Sequence, residues 1–308
     1  MTDLRQALTD YLAVRRAMGS RLVRAEKLLA QFLTYLEERG QTRLCTVNAV
    51  AWASEPTGVD PSWWAHRLGA VRGFATYLHT IDPATEIPPA HLWPTRSLRA
   101  TPYPYTDGEV AAVLAAAAGL RTAHRVATYR TLIGLLVVTG MRVGEAIALD
   151  RHDFDAGQDL ITVRRGKFGK SRELPLHPSA TDAVTQYLQR ADRPTAPQQT
   201  AALFVSSAGT RLLYCNVQHT FQSLARRAGL APHSAVCRPR LHDIRHRFAV
   251  RTLLDAYQQG HDAQARLALL ATYLGHVDPK HTYWYLSAAP ELMQLAADRL
   301  ERHLGGRS

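Results

Sequence analysis

The chain has 308 residues, 46% hydrophobic and 20% charged, which is too long for one ordinary core and too apolar for wholesale disorder, so about two globular domains are expected. Lys and Arg outnumber Asp and Glu by 37 to 26, a formal charge of +11. That balance suits a polyanionic partner, and because arginine supplies most of it, phosphate recognition in particular.

Leu4 to Met18 and Leu22 to Glu38 carry apolar residues at three- and four-residue spacing, with Leu28, Leu29, Phe32, Leu33 and Leu36 in one stripe, and are predicted as amphipathic helices. A third helix is predicted from Pro61 to Leu78, with Trp64, Leu68, Val71, Phe74 and Leu78 inward and Arg67 and Arg72 on other faces. The stretch through Ile87-Pro88-Pro89, Trp93-Pro94 and Thr101-Pro102-Tyr103-Pro104 cannot continue a helix and reads as an extended connector. The expected division is therefore a helical domain at 1–99, a linker at 100–106 and a second domain at 107–308.

Thr106-Asp107-Gly108-Glu109 makes a helix start with acid in the first turn, and an alanine-rich helix runs on to Ala118. Arg125 to Thr139 is predicted as a long helix. Leu160 to Arg164 and Arg172 to Leu176 alternate as strands around the turn Gly166-Lys167-Phe168-Gly169-Lys170. Helical patterns return at Ala180–Gln189, Asn216–Ala228, His242–Ala256, Arg266–Leu274 and Ala289–His303, with a polar loop at Pro194–Thr200. The fold class is mainly α in two domains, the second with a small antiparallel sheet. Cys45, Cys215 and Cys237 form no CxxC pair and leave one over in any disulfide scheme, which fits a reduced, cytoplasmic setting. The longest apolar run, Leu132 to Val138, is too short for a bilayer, so no membrane partner is expected.

The chemistry-bearing residues fall in a fixed order. Arg142 follows a Thr-Gly break at the end of an apolar helix, a place where glycine permits the turn. His242 and Arg245 are three apart, so on a helix they share a face and can reach one phosphate, with His246 on the adjacent flank. His276 follows a Leu-Gly corner. Cleaving a phosphodiester with a protein nucleophile needs a hydroxyl aimed at phosphorus, donors for the non-bridging oxygens and an acid for the leaving oxygen. Arg142 and Arg245 suit the oxygens. Lys167 or Lys170 suits the acid, and Tyr283 or Tyr285 the hydroxyl. No clustered carboxylates with metal-ligand character accompany the histidines, so no metal or other cofactor is expected.

Together, Thr139-Gly-Met-Arg142-Val-Gly-Glu145, Gly166-Lys167-Phe-Gly-Lys170-Ser-Arg172-Glu-Leu-Pro-Leu176, Leu241-His242-Asp-Ile-Arg245-His246 and Leu274-Gly-His276 through Tyr285-Leu286 closely resemble the tyrosine recombinase or phage integrase family. The resemblance covers the second half of the chain and, more loosely, the first domain. It implies a SAM-like core-binding domain followed by a catalytic domain. It makes Arg142 and Arg245 the phosphate clamp, Lys167 the general acid, His242 an assisting acid/base group and His276 a phosphate donor. Glu145 and His246 would support the site. The nine-residue step from His276 matches the family for Tyr285 and not Tyr283, so Tyr285 would be the nucleophile. The departure from the pattern is Phe168, where a small or polar residue is commoner.

The resemblance further implies a metal- and ATP-independent reaction through a 3′-phosphotyrosyl intermediate on double-stranded DNA, carried out by a homotetramer on two sites, in the cytoplasm at the nucleoid, with partner recombinases or accessory proteins as candidates for assembly. A terminal helix at Glu291–His303 would dock on a neighbour. Arg21, Arg24, Lys27, Arg67 and Arg72 are the DNA-contacting candidates of the first domain. The Tyr283-Trp-Tyr285-Leu segment looks like integrases of mobile elements. A Xer-like resolvase of chromosome or plasmid dimers is the runner-up, followed by a type IB topoisomerase-like enzyme or an inactive DNA-binding regulator.

Overall fold

The computed structural model describes residues 3–20, 22–95, 100–164, 171–194, 200–260 and 262–275. The chain divides into two compact units, Met1–Arg99 and Ala100–Ser308. The described elements of the first are helices α1 (Leu4–Ala17), α2 (Val23–Glu38), α3 (Thr46–Ser54) and α4 (Pro61–His79). Asp3 and Asp60 cap α1 and α4 by accepting from backbone amides of the first turn. The predicted stripe of α2, Leu28 through Leu36, is buried against Tyr11, Trp52, Val71 and Phe74.

Helix α3 has no counterpart among the predicted elements. Its inward face is Ala49, Trp52 and Ala53, and two of those three side chains are too small to write a strong apolar period. Its presence changes the role of Arg67. That residue is buried, with its guanidinium 3.8 Å from the Trp52 ring centroid and Nη2 donating 2.7 Å to the Trp52 carbonyl. The sequence expectation of a DNA contact at Arg67 is therefore corrected: the side chain ties α4 to α3 inside the unit. Arg24 and Lys27 are exposed and Arg72 is half-buried. Arg24 lies 4.7 Å over the Trp63 ring. Arg21 is outside the described residues.

The second unit contains α5 (Asp107–Ala116), α6 (Ala123–Thr139), α7 (Val143–Ala148), α8 (Pro178–Leu188), α9 (Tyr214–Arg227), α10 (Asp243–Gln258) and α11 (Ala263–Leu274). Strands β1 (Phe154–Asp155), β2 (Leu160–Val163) and β3 (Arg172–Pro175) form one antiparallel sheet in the order β1-β2-β3. Pairings of Ile161 with Leu174 and Val163 with Arg172 set the register. Ile161, Val163 and Leu174 point into a core that α6, α7, α8 and α9 complete. The fold is mostly helical with a small antiparallel sheet. The two predicted strands pair antiparallel, while β1 and the six-residue α7 are additions too short to carry a readable period.

Within the segment expected as a linker, two tyrosines pack into the second unit. Tyr105's amide donates 3.1 Å to the Tyr103 carbonyl across Pro104, the two rings lie 4.8 Å apart, and both are buried in the second unit's core. The Tyr103 hydroxyl donates 2.6 Å to Glu109, its amide donates 3.2 Å to Asp243, and the Tyr105 hydroxyl donates 3.1 Å to the Arg240 carbonyl. This strap runs directly into the Thr106–Glu109 capping box that starts α5. Among the described residues, no helix is long and apolar enough to cross a membrane.

Candidate active site

Helix α6 ends at Gly140, whose φ of 58° is left-handed, and a Cβ there would run into the Phe248 ring on α10. Glycine is required twice over, by backbone and by packing. The turn leaves Arg142 extended at the N-cap of α7. From there its amide donates 2.9 Å to Glu145 Oε2 and its Nη1 donates 2.7 Å to Oε1, while Nη2 lies 3.4 Å from the Gly275 carbonyl. The Arg142 side chain keeps 24% of its surface exposed.

Glu145 is buried, and burial alone would push its carboxyl up. The Arg172 fork and the Arg142 amide and guanidinium outweigh that cost and hold its pKa down at about 2. Arg172 Nη2 donates 2.7 Å to Oε2 and Nη1 3.2 Å to Oε1, and its Nε donates 2.8 Å to the Tyr273 carbonyl. Glu145 therefore joins two arginines from different elements, one at the start of α7 and one at the start of β3.

Helix α10 supplies the other cation. Arg245 is 3% exposed; its Nη1 donates 3.0 Å to the Gly140 carbonyl and its Nη2 2.7 Å to the Leu274 carbonyl. The amino end of α10 is held by Asp243, which is buried, accepts from Arg240 Nη2 at 2.8 Å and Nε at 2.9 Å, and accepts the Tyr103 amide. His242 precedes the first residue of α10, makes no capping hydrogen bond and is exposed. Enough protein surrounds its ring that desolvation lowers the pKa, aided by the Arg245 charge and, more weakly, by Arg142. The imidazole stands in the field of both arginines. His246 is buried one turn on, and desolvation pulls its pKa down to about 4.

Arg142 and Arg245, from the α6–α7 junction and the start of α10, therefore meet at the carboxyl end of α11, with Glu145 bound to Arg142 and His242 at the start of α10, three residues before Arg245. Lys167, Lys170, His276, Tyr283, Tyr285 and the predicted terminal helix lie outside the described residues. Sequence reasoning gave Arg172 no role. Its signal was available: at period two it shares the inward face of β3 with Leu174, and a charge on that face calls for a buried partner. Asp150, His152 and Asp153 also bring ligand-type atoms close together, but Asp150 is engaged by Arg211 and Asp153 by Arg164.

In this helical unit with a small sheet, two guanidiniums from different elements meet the carboxyl end of α11. The comparisons place it: the phage integrase family matches residues 106–291, and the chain belongs to that family, the tyrosine recombinases, whose members are site-specific DNA recombinases. It is 42% identical over 98% of both chains to a Sinorhizobium fredii protein that carries the name putative integrase/recombinase y4rB. It is 28% identical over 91% of both chains to the tyrosine recombinase XerD of Mycobacterium tuberculosis. Its fold is similar to the Tn1549 transposon integrase solved with circular intermediate DNA, with a TM-score of 0.63 at 17% identity over 96% of this chain and 99% of that one.

Proposed function

We propose that this recombinase cuts and rejoins DNA with Tyr285 as nucleophile. The Tyr285 hydroxyl attacks phosphorus to form a 3′-phosphotyrosyl bond, giving its proton to His242, and the 5′-oxygen leaves as a hydroxyl, taking its proton from Lys167. Arg142 and Arg245 bind the non-bridging oxygens, and His242 and His276 assist with hydrogen bonds and proton exchange. One phosphoester replaces another, so the bond energy is retained and neither ATP nor a metal is consumed. The 5′-hydroxyl of a second duplex reverses the step on the partner's phosphotyrosine, which requires four protomers on two sites.

The observation that carries this reading is the convergence of Arg142 and Arg245 on the end of α11, since the chain passes from that end directly into His276. The first unit is read as a SAM-like core-binding domain that meets DNA through Arg24, Lys27 and Arg72, with 1–99, 100–106 and 107–308 as core-binding domain, linker and catalytic domain. The biological role we infer is integration, excision or transposition of a mobile element. It is supported by the integrase names of the relatives at 42% and 32% identity. Resolution of replicon dimers is the second reading, favoured by the similarity to XerD.

The test is incubation of the full chain, in EDTA, with nicked suicide duplexes drawn from the DNA flanking its gene. A covalent protein–DNA complex that survives denaturation is the expected result. Tight binding with no adduct on any fragment would favour a DNA-binding regulator, and relaxation of supercoils with no recombinant product would favour a topoisomerase.

A further inference from the structure

The last carbonyls of a helix have no partner within it and carry the negative end of its dipole. At the end of α11, three consecutive carbonyls each face an arginine from a different element. Tyr273 accepts from Arg172 at 2.8 Å, Leu274 from Arg245 at 2.7 Å, and Gly275 lies 3.4 Å from Arg142. Two of these arginines are the proposed phosphate clamp. The third has no place in the chemistry described so far.

Arg172 spends its donors inside the protein. Its side chain is 14% exposed, and its Nε, Nη1 and Nη2 are all committed within the protein, to the Tyr273 carbonyl and to both oxygens of Glu145. The fit is closed on the far side too, because a Cβ at Gly275 would stand 3.0 Å from Nη1. The carboxylate that Arg172 grips is the same one that receives the Arg142 guanidinium and amide.

We propose that Arg172 is a positioning residue for strand cleavage: by holding Glu145 and the end of α11 in one planar fork, it fixes the Arg142 guanidinium against that helix end and sets where the following segment leaves it. The assignment rests on the proposed function. Arginine is required because one guanidinium presents three donor edges in a rigid plane, whereas a lysine ammonium cannot bridge two carboxylate oxygens and a carbonyl at these angles. A displacement of about 1 Å in a group bound to the reacting phosphate costs on the order of 10²-fold in rate, and that is the size of effect expected.

The experiment uses the full chain and the nicked duplex on which the unaltered protein forms its adduct. Arg172→Gln, Arg172→Lys, Glu145→Gln and the double variant Glu145→Gln/Arg172→Gln are compared for duplex affinity, for single-turnover adduct formation at saturating protein and for thermal stability. Arg172→Gln should bind within about threefold of the unaltered protein yet cleave about 10²-fold more slowly. Arg172→Lys should recover less than about tenfold of that loss. The double variant should be no slower than the slower single, because Arg172 acts through Glu145.

Cleavage at the normal rate by Arg172→Gln, or multiplicative losses in the double variant, would overturn the assignment. So would a fall in affinity that matches the fall in rate, which marks a merely structural ion pair. If Arg172→Gln does not fold, Arg172→Lys carries the same comparison of affinity against rate. Absence of any adduct with the unaltered protein would overturn the proposed function, and this assignment with it.

Discussion

Arg245 Nη2 donates 2.7 Å to the carbonyl of Leu274, so the buried arginine of α10 caps the end of α11. Its Nη1 does the same for Gly140 at the end of α6. One guanidinium thus fixes two helix ends, and the residues that follow them are Arg142, two positions on, and His276.

Replacing Arg245 should therefore damage both chemistry and fold. Arg245→Lys keeps a charge but cannot serve both carbonyls. Adduct formation should fall on the order of 10²-fold or more, as happens when one charge-stabilising donor is removed. Arg245→Ala should in addition lower stability by about 1–3 kcal/mol for each carbonyl left buried without a donor. Single-turnover cleavage and denaturant unfolding read the two effects separately.

Gly140→Ala should destabilise the second unit by more than about 1 kcal/mol, since φ of 58° disfavours any side chain and the new methyl meets Phe248. Adding Phe248→Ala should relieve the clash and leave the backbone strain. A double variant no better than Gly140→Ala plus the independent cost of Phe248→Ala would show that the ring is not the obstacle.

Glu145 governs an acid limb. Its carboxyl is held at about 2, below the ordinary 4.5, with burial opposing and Arg172 and Arg142 winning. A group depressed in this way contributes stability that is complete above the unfolded value and is lost as pH falls from about 4.5 toward 2. Its contribution is on the order of 3 kcal/mol. Glu145→Gln should lower stability at pH 7 and flatten the loss between about pH 5 and 2. An acid limb identical to that of the unaltered protein would place the titration elsewhere.

The two kinds of arginine in the first unit should separate cleanly. Arg67→Ala removes the Trp52 stacking and a buried hydrogen bond, so it should cost about 1–3 kcal/mol of stability and leave the salt dependence of DNA binding unchanged. Arg24→Ala and Lys27→Ala should leave stability nearly intact. Each should reduce the slope of log affinity against log salt by about 0.9 for every DNA phosphate that its side chain neutralises in the unaltered protein.

Much of this was legible in the sequence, and the reason is periodicity. The stripe Leu28–Leu36 and the long pattern ending at Thr139 repeat often enough to declare helices. The Thr-Gly break before Arg142 and the His242–Arg245 spacing put cations at helix ends that the fold does bring together. What escaped has little period of its own. Helix α3 turns two alanines inward, and without it Arg67 looked free. Arg172 has meaning only through Glu145 and Tyr273, 27 and 101 residues away, a pairing that only the tertiary fold creates. The strap at Tyr103 and Tyr105 reads as a linker by its prolines, yet its alternate side chains are core.

The nucleophile is the centre of the proposed reaction, and the most direct measurement is the location of the covalent bond. The unaltered chain, Tyr285→Phe and Tyr283→Phe are each reacted with the nicked suicide duplex, and the adduct is digested and mapped by peptide mass spectrometry. The expected result is a phosphotyrosyl peptide bearing DNA on Tyr285, retained in Tyr283→Phe and absent from Tyr285→Phe, which still binds duplex normally. An adduct that persists in Tyr285→Phe, or maps to another residue, would contradict the assignment.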